Sequence, residues 1–518
     1  MKRIRGQRRP HAAGAAPAGP TLRPRLRPLS AIVIAAALAG CAVGPNFRAP
    51  DAPAVPAYTA DKLPEATAAS DAPTGDAQKF LEGQAVPERW WTTFASEEID
   101  HRVDQALAHS PTIASAQAAL KQAQENVSAA NGGLFPSIDA NVGAQRGNAN
   151  AFGQLGPGQS VFNVYTAGVN VNYTLDLFGG VRRGIEAQSA IADFQTYQLE
   201  GTYLTLAANV VATSFLEASL RGQIEATEEI ISAYEENLKL VERQHEIGAK
   251  SLSDVLVIRT QVATVRAQLP GLRQQLARTQ TQLAVYLGQF PAEATLAELD
   301  LDGLTLPQDV PITLPSDLVR QRPDIRAAES QLHQATAEVG VATANLFPQI
   351  TLSGSYGSQA LHTGDLFSGG TKVWSIGAGL LQPLFHGGTL RAEKRAAEAG
   401  LEKAAADYQT TVLGAFQNVA DSLHALELDA ENLRAQFDAE QSAKQSLDLV
   451  NIQYREGAAS YLQVLDATRQ YQQARIGLIT ARAARLSDTA ALYASLGGGW
   501  NEGKAPALAE ASPAAAPN

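Results

Sequence analysis

The chain has 518 residues, of which 45% are apolar and 18% charged, and it contains a single cysteine. Acidic residues outnumber basic ones by 52 to 41, which gives a formal net charge of −11. This charge balance argues against nucleic acid binding, and one cysteine excludes an intrachain disulfide framework. We therefore expect no nucleic acid partner.

Residues 1–40 have the features of a secretion signal. They contain eight Lys or Arg and no acidic residue, and their apolar run, 29–40, is too short to span a bilayer. The run ends in Leu38-Ala39-Gly40-Cys41, which resembles a bacterial lipobox. This predicts cleavage after Gly40 and an N-acyl diacylglycerol group on Cys41, the only covalent cofactor we expect. The alternative is an ordinary cleavage site beside a buried cysteine.

The two ends of the mature chain are low in apolar periodicity. Residues 41–90 are rich in Pro, Ala and Asp, which predicts a lipidated N-terminus followed by an extended tether. Residues 501–518 are almost all Ala, Pro and small polar residues, which predicts a disordered tail. Without the leader, 33 basic residues face 52 acidic ones, a net charge of −19.

The body of the chain is a duplication. Pro111-Thr112-Ile113 and Leu134-Phe135-Pro136 recur 212 residues later as Pro323-Asp324-Ile325 and Leu346-Phe347-Pro348. Residues 244–256 recur, in part, at a shift of 209. Because this period far exceeds the roughly 20 to 50 residues of solenoid repeats, we interpret it as two copies of one large unit, 91–298 and 299–500.

Each copy is predicted to begin with a helix and two strands. Ala-rich helical patterns cover 99–131 and 318–345, and a proline follows each. Apolar residues then alternate with Gly, Ser, Asn and Thr around 138–144 and 167–173, and again around 350–356 and 374–380. This period-2 pattern predicts four strands, either in a soluble sandwich or in a membrane barrel with a wet lumen. Because about eight strands are the minimum for a barrel, several chains must share one.

Each strand pair is followed by a very long helical pattern and a reversal. The first runs over about 182–247, which corresponds to about 100 Å of helix. Apolar residues recur at coiled-coil spacing within both long helices: Ile231, Tyr234, Leu238 and Val241 in the first, and Leu423, Leu426, Ala430, Leu433 and Phe437 in the second. Reversals at Gly248 and Gly457 lead into returning helices, of which only the first contains a proline, Pro270.

Five sets of residues, taken together with their spacing, are similar to the outer-membrane efflux factor family, in particular its lipoprotein branch. They are Cys41-Ala42-Val43-Gly44-Pro45-Asn46, Trp90-Trp91 with Phe94, Leu314-Pro315 with Arg322-Pro323-Asp324-Ile325-Arg326-Ala327-Ala328-Glu329, Leu346-Phe347-Pro348, and the reversals 248–256 and 457–466. The resemblance covers nearly the whole mature chain. It implies an exit duct for small molecules in the outer membrane of a Gram-negative bacterium.

The fold that this resemblance implies is an α+β membrane protein with two repeats of helix, strand, strand, long helix and helix. Three chains form a homotrimer with a 12-stranded β-barrel joined to a 12-helix α-barrel in the periplasm. The implied partners are a periplasmic adaptor protein, an inner-membrane RND-type pump and outer-membrane lipid. Two alternatives stay open from the residues: a duct for type I polypeptide secretion, and a structural coiled-coil lipoprotein.

The functional residues implied by the resemblance lie at the reversals. Asp254 and Asp466 correspond to carboxylates that narrow the periplasmic aperture, although Asp254 is also placed to cap a helix. Gly248, Ala249, Gly457 and Ala458 correspond to the adaptor-contact tips, although both glycines also suit helix C-caps. The sequence contains no Gly-x-Ser-x-Gly nucleophile motif, phosphate-binding loop or cysteine metal-ligand spacing, so we expect neither an enzyme nor a metal site.

Overall fold

The computed structural model describes residues 42–148 and 161–498. Cys41, the predicted leader and the predicted tail therefore lie outside the described residues. The first part of the chain forms β1 (Lys79–Glu82), α1 (Glu97–His109), α2 (Pro111–Gly132), β2 (Ser137–Asn148), β3 (Val161–Leu175), α3 (Gly180–Glu246), α4 (Leu252–Arg266) and α5 (Leu269–Tyr286). The second part forms β4 (Asp309–Ile312), α6 (Pro315–Gln321), α7 (Pro323–Ala344), β5 (Gln349–Ala360), β6 (Lys372–Leu381), α8 (Thr389–Arg455) and α9 (Tyr461–Ser495).

The four predicted strands are confirmed and form one antiparallel sheet in the order β2-β3-β5-β6. Directly opposed residues share a face, as in the pairs Val169↔Tyr356 and Leu352↔Ala378. This register brings the apolar residues that the alternation identifies in all four strands to one face, opposite the small polar residues that alternate with them. Among the described residues, β2 and β6 have no strand on their outer edges.

The long helices are confirmed, with 67 residues in each of α3 and α8. Most of the predicted coiled-coil positions are buried, including Tyr234 and Leu426, whereas Leu238 and Phe437 are partly buried. The predicted difference between the returning helices is also confirmed. The first is interrupted at residues 267 and 268, between α4 and α5, close to Pro270, because proline has no N–H to donate to the carbonyl four residues earlier. The second, α9, runs unbroken for 35 residues.

The prediction of one continuous helix at the start of each copy is wrong. Each is two helices, broken before Pro111 and before Pro323. Ser110 and Arg322 have extended backbone (ψ 125° and 124°), which is the conformation that a following proline favours. Proline then fits the first turn of α2 and α7, where no N–H is needed.

The main core lies about halfway along the long helices. Trp90, Phe94, Phe215 and Tyr493 are buried together, and their rings pack edge-on or tilted at centroid distances of 4.9 to 6.4 Å. Below this core a buried ion pair joins α1 to α3, because Arg102 donates to Glu217 at 2.8 Å. The sequence motif Trp90-Trp91 with Phe94 thus marks the centre of the protein.

Residues 42–82, which composition assigns to a tether, pack along the helices. Arg485 of α9 is fully buried and donates to the Thr67 hydroxyl at 3.0 Å and the Asp76 carbonyl at 2.7 Å. Strand β1 pairs in parallel with β4, a strand pair that the sequence analysis missed. The segment is therefore fixed to the body of the protein over most of its length.

One helix of the described residues, α3, has an 18-residue stretch apolar enough to cross a membrane by length and composition. Because 61% of that stretch is buried against the rest of the chain, we assign its apolar character to helix packing.

Candidate functional site at the helix tips

Both reversals lie at the ends of the long helices that are farthest from the sheet. Helix α3 begins five residues after β3 and α8 begins eight residues after β6, so each starts at the sheet. At about 1.5 Å per residue, their 67 residues place the reversals about 100 Å away. We call the reversals the first tip (residues 244–256) and the second tip (residues 453–466).

The two tips have the same backbone geometry. Gly248 and Gly457 each have φ +78°, a left-handed conformation that glycine adopts without strain. The Ala249 N–H donates to the Gln244 carbonyl at 2.8 Å, and the Ala458 N–H donates to the Gln453 carbonyl at 2.7 Å. These are Schellman C-caps, so the predicted capping role of the glycines is confirmed.

Asp254 is the partner of a capping box at the first tip. Its carboxylate accepts hydrogen bonds from the backbone N–H of Ser251 at 3.0 Å and from the Ser251 hydroxyl at 2.8 Å. These bonds stabilise the ionised form and lower the pKa of Asp254 below its usual value. Asp254 therefore carries a negative charge held at a fixed position at the start of α4.

The second tip is built differently. Gln463 occupies the position of Asp254, and its side chain accepts the Ser460 N–H at 2.6 Å, so the capping box is kept but its charge is lost. Asp466 lies one turn further along α9. It pairs with Arg469 at 2.7 Å and accepts a hydrogen bond from Gln470 at 2.6 Å, and these contacts lower its pKa. Asp254 and Asp466 are thus both ionised, but they stand at different levels along the helices.

The tips have their own apolar core. Tyr234, Ile258 and Tyr461 are buried within it, and the Tyr461 ring contacts Tyr454 at 5.6 Å. The Lys250 ammonium lies 5.9 Å from the centre of the Tyr454 ring and so joins the first tip to the second. Sequence reasoning missed Lys250 and Arg469, because a single Lys or Arg near a turn has no distinguishing pattern.

Apolar side chains remain exposed at the tips. Ile247 is 80% exposed and Leu462 is 66% exposed, and Gly248, Ala249, Gly457 and Ala458 are exposed beside them. Small exposed residues flanked by apolar ones suit contact with a second protein by close backbone approach. Among residues 42–148 and 161–498, no group of three His, Cys, Asp or Glu side chains is arranged to hold a metal ion.

A family model described as outer membrane efflux protein matches residues 103–289 and 314–498, one segment in each copy. The chain belongs to the outer membrane efflux protein family. The double match also agrees with the internal duplication. The family comprises efflux channels of the outer membrane, and this chain is therefore an outer-membrane efflux protein.

The curated relatives are outer-membrane components of pumps and exporters. The antibiotic efflux pump outer membrane protein ArpC of Pseudomonas putida is 31% identical over 491 residues, which cover 93% of this chain and 98% of ArpC. The pyoverdine export outer membrane protein OpmQ of Pseudomonas aeruginosa is 32% identical over 418 residues, which cover 80% of this chain and 87% of OpmQ.

Solved structures of outer-membrane channels share the fold. The channel OprN superposes with a TM-score of 0.77 at 28% identity, covering 88% of this chain and 99% of OprN. The open state of the MtrE channel of Neisseria gonorrhoeae superposes with a TM-score of 0.75 at 26% identity, covering 89% of this chain and 98% of MtrE. The mixed helix and strand fold class is thereby confirmed.

Proposed function

We propose that three copies of this chain form the exit duct of a tripartite efflux system. A 12-stranded barrel crosses the outer membrane and a 12-helix tunnel crosses the periplasm. The observation that carries the proposal is the family match in both copies, together with a four-stranded sheet whose two edges lack partners. The outer edges of β2 and β6 leave backbone hydrogen-bonding groups without a strand partner, and the apolar face is exposed to water. Closure into a shared barrel in the membrane pairs those edges and places the apolar face in lipid.

The duplication supports a specific pairing between protomers. Within one chain, β3 pairs with β5 so that Leu175 opposes Ile350 and Tyr173 opposes Leu352. In the duplication, Leu175 and Tyr173 correspond to Gln382, just after β6, and Leu380 of β6. Ile350 and Leu352 correspond to Ile138 and Ala140 of β2. Pairing β6 with β2 of the next protomer in the same way sets Leu380 opposite Ala140 and keeps the apolar residues on the outer face.

The aperture of the proposed duct lies at the tips. Three copies each of Asp254 and Asp466 form two rings of negative charge at different levels, a constriction that favours cations. The capping box fixes Asp254, whereas Asp466 is exposed and bound to Arg469 of its own helix. We therefore expect the Asp466 ring to change more when the tips open.

The remaining partners are proposed to meet the duct at its two ends. The tip residues Gly248, Ala249, Gly457 and Ala458 receive a periplasmic adaptor, which connects the duct to an RND-type inner-membrane pump. A lipid on Cys41 anchors the chain, since the next residues are fixed beside the sheet: the Val43 N–H donates to the Phe178 carbonyl at 3.0 Å. The duct itself is passive and no enzyme activity is proposed.

The clients are proposed to be small molecules. Relatives of about equal similarity are named for antibiotic efflux, toluene efflux and pyoverdine export. Such different clients at nearly the same identity suggest that the duct carries little of the selectivity. Selection then lies upstream, in the pump.

Two measurements test this function. Outer-membrane extracts run on SDS gels without boiling are expected to contain a trimer that heat converts to monomer. A strain without the gene is expected to become hypersensitive to dyes and antibiotics, and the wild-type gene restores resistance. A strain that loses secretion of a polypeptide and keeps its resistance would contradict the small-molecule assignment. A monomer in unheated extracts would contradict the duct.

A further inference from the structure

An aromatic contact joins the two copies of the unit at the end of the helices that lies next to the sheet. The Phe178 ring, just before α3, stacks on the Phe347 ring, just after α7, with centroids 4.7 Å apart and an interplanar angle of 19°. It closes the junction between the long helix of the first copy and the short helix of the second. The strands that continue from these helices, β3 and β5, are neighbours in the sheet.

The duplication supplies a second pair of the same kind. Phe135 corresponds to Phe347, and Phe385 corresponds to Phe178. The turns match as well: the Phe135 N–H donates to the Gly132 carbonyl at 3.1 Å, and the Phe347 N–H donates to the Ala344 carbonyl at 3.0 Å. Yet Phe135 is 69% exposed and Phe385 is 88% exposed.

These two rings cannot meet within one chain. Phe135 precedes β2 and Phe385 follows β6, and these are the opposite edges of the sheet. Three strand spacings of about 4.8 Å separate the edges. A hollow of about 560 Å³ lies beside the second turn, lined by Leu384, Phe385 and Leu390 among others.

We propose that Phe385 of one protomer stacks on Phe135 of the next protomer, in the way that Phe178 stacks on Phe347. This inference rests on the proposed trimer. The Phe385–Phe135 contact joins neighbouring protomers where the strands meet the helices. The trimer then has a ring of six aromatic pairs, three within protomers and three between them. Burial of two exposed aromatic rings stabilises each junction between protomers.

The two kinds of junction differ in what braces them. Within a protomer, Arg183 donates to the Val43 carbonyl at 3.3 Å and to the Asn46 side chain at 2.5 Å, so the N-terminal segment covers the junction. His333 stacks on Phe47 with ring centroids 4.3 Å apart and lies 3.0 Å from Glu186.

None of Arg183, Glu186 and His333, the helix residues that brace the junction within a protomer, is kept in the other copy. The positions that correspond to Arg183, Glu186 and His333 are Ala392, Arg395 and Lys121. Arg395 replaces the Glu186 carboxylate and, like Lys121, is positively charged. These two side chains repel each other, so the junction between protomers lacks the ion pair that braces the junction within a protomer. The aromatic pair therefore contributes a larger share of the stability at the junction between protomers than at the junction within a protomer. We expect the junctions between protomers to separate before those within a protomer.

Cysteine pairs test the contact in outer membranes. Phe135→Cys with Phe385→Cys is expected to give covalent dimers and trimers on reducible SDS gels after oxidation. The pair Phe178→Cys with Phe347→Cys calibrates the geometry, because it should lose both thiols without forming oligomers. A short bis-maleimide replaces oxidation if the calibration pair does not form a disulfide. Each single variant controls for reaction with Cys41.

A strand-edge pair separates this inference from the proposed function. Ala140→Cys with Leu380→Cys should link protomers through β2 and β6 whether or not the phenylalanines meet. Strand-edge oligomers without linkage of Phe135→Cys to Phe385→Cys would overturn the aromatic contact and leave the duct intact. If the thiol of Phe385→Cys then reacts with a maleimide dissolved in the lipid phase, the Phe385 ring contacts outer-membrane lipid instead of Phe135. No oligomer from either pair would overturn the trimer itself.

Alanine variants give an independent readout. Phe385→Ala and Phe135→Ala are each expected to lower the temperature at which the SDS-resistant trimer dissociates, and the double variant to lower it no further than the worse single one. Phe178→Ala is expected to act on the protomer instead, shown by faster proteolysis near Val43. Additive effects of Phe135→Ala and Phe385→Ala on dissociation would contradict a shared contact.

Discussion

The buried ion pair between Arg102 and Glu217 gives the sharpest test of the core. Their side chains are 1% and 0% exposed, and the Arg102 guanidinium also donates to the Ala297 carbonyl at 2.7 Å. Removing one partner of a buried pair typically costs about 3 to 5 kcal/mol, because the other charge stays desolvated. Here each ion keeps a second partner, since Glu217 is 3.0 Å from Arg221. We therefore expect a loss near the lower limit, about 3 kcal/mol, for Arg102→Met.

The assay is the thermal unfolding midpoint in detergent, measured at one protein concentration for all variants. Arg89→Ala provides the matched control, because the Arg89–Asp104 pair has the same 2.8 Å length but is 53% and 51% exposed. An exposed pair of this kind contributes about 0.2 to 1 kcal/mol. Replacing both buried ions, by Arg102→Met with Glu217→Leu, should cost less than the sum of the single changes. A drop for Arg102→Met no larger than that for Arg89→Ala would refute this reasoning.

Three further outcomes follow from the structure. Leu426→Ala, at a fully buried position of α8, should cost about 2 to 5 kcal/mol and lower the same midpoint; an unchanged midpoint would show that this part of the core is not packed as described. Gly457→Ala forces a left-handed backbone at φ +78°, so the second tip should loosen and trypsin should cleave faster after Arg455, whereas unchanged cleavage would contradict that backbone geometry. Burial and the neighbouring Asp488 raise the pKa of Asp429 to about 7. Because the folded state then binds a proton more tightly than the unfolded chain, stability should fall as the pH rises from about 4 to 7. Asp429→Asn should remove that decline in midpoint, and a parallel decline in both proteins would refute the assignment.

The sequence predicted the elements whose signals are periodic. Alternation identified all four strands of the sheet, and 3-4 spacing identified the buried faces of α3 and α8, including Tyr234 and Leu426. The duplication also predicted that both long helices end in a reversal at a glycine. These features follow from local chain geometry, which a single sequence records directly.

Features that depend on distant contacts were missed. The breaks before Pro111 and Pro323 are a separate case, because each proline is a local signal; they were overlooked since the Ala-rich pattern continues across both prolines. Pairing of β1 with β4 joins residues about 230 apart, and neither strand is long enough to show a period. The docking of residues 42–82 depends on Arg485, whose position in α9 does not distinguish it in sequence.

At the candidate site, the residues were identified but their environments were not. Asp254 and Asp466 are named by resemblance as equivalent carboxylates, yet the structure gives the first a capping box and the second an ion pair with Arg469. A capping box is visible in sequence as Ser251 followed three residues later by Asp254. The position of Asp466 one turn deeper follows from Gln463, which occupies the equivalent capping position in the second copy.

Acidic residues at the tips set the aperture of the proposed trimeric duct. The most direct test is single-channel conductance of the purified protein in planar bilayers, with wild type beside Asp254→Ala combined with Asp466→Ala. Small, cation-selective conductance in wild type, which rises and loses selectivity in the double variant, is the predicted result. A correctly assembled trimer that conducts in neither form would contradict the duct, and equal selectivity in both forms would contradict the assignment of its aperture.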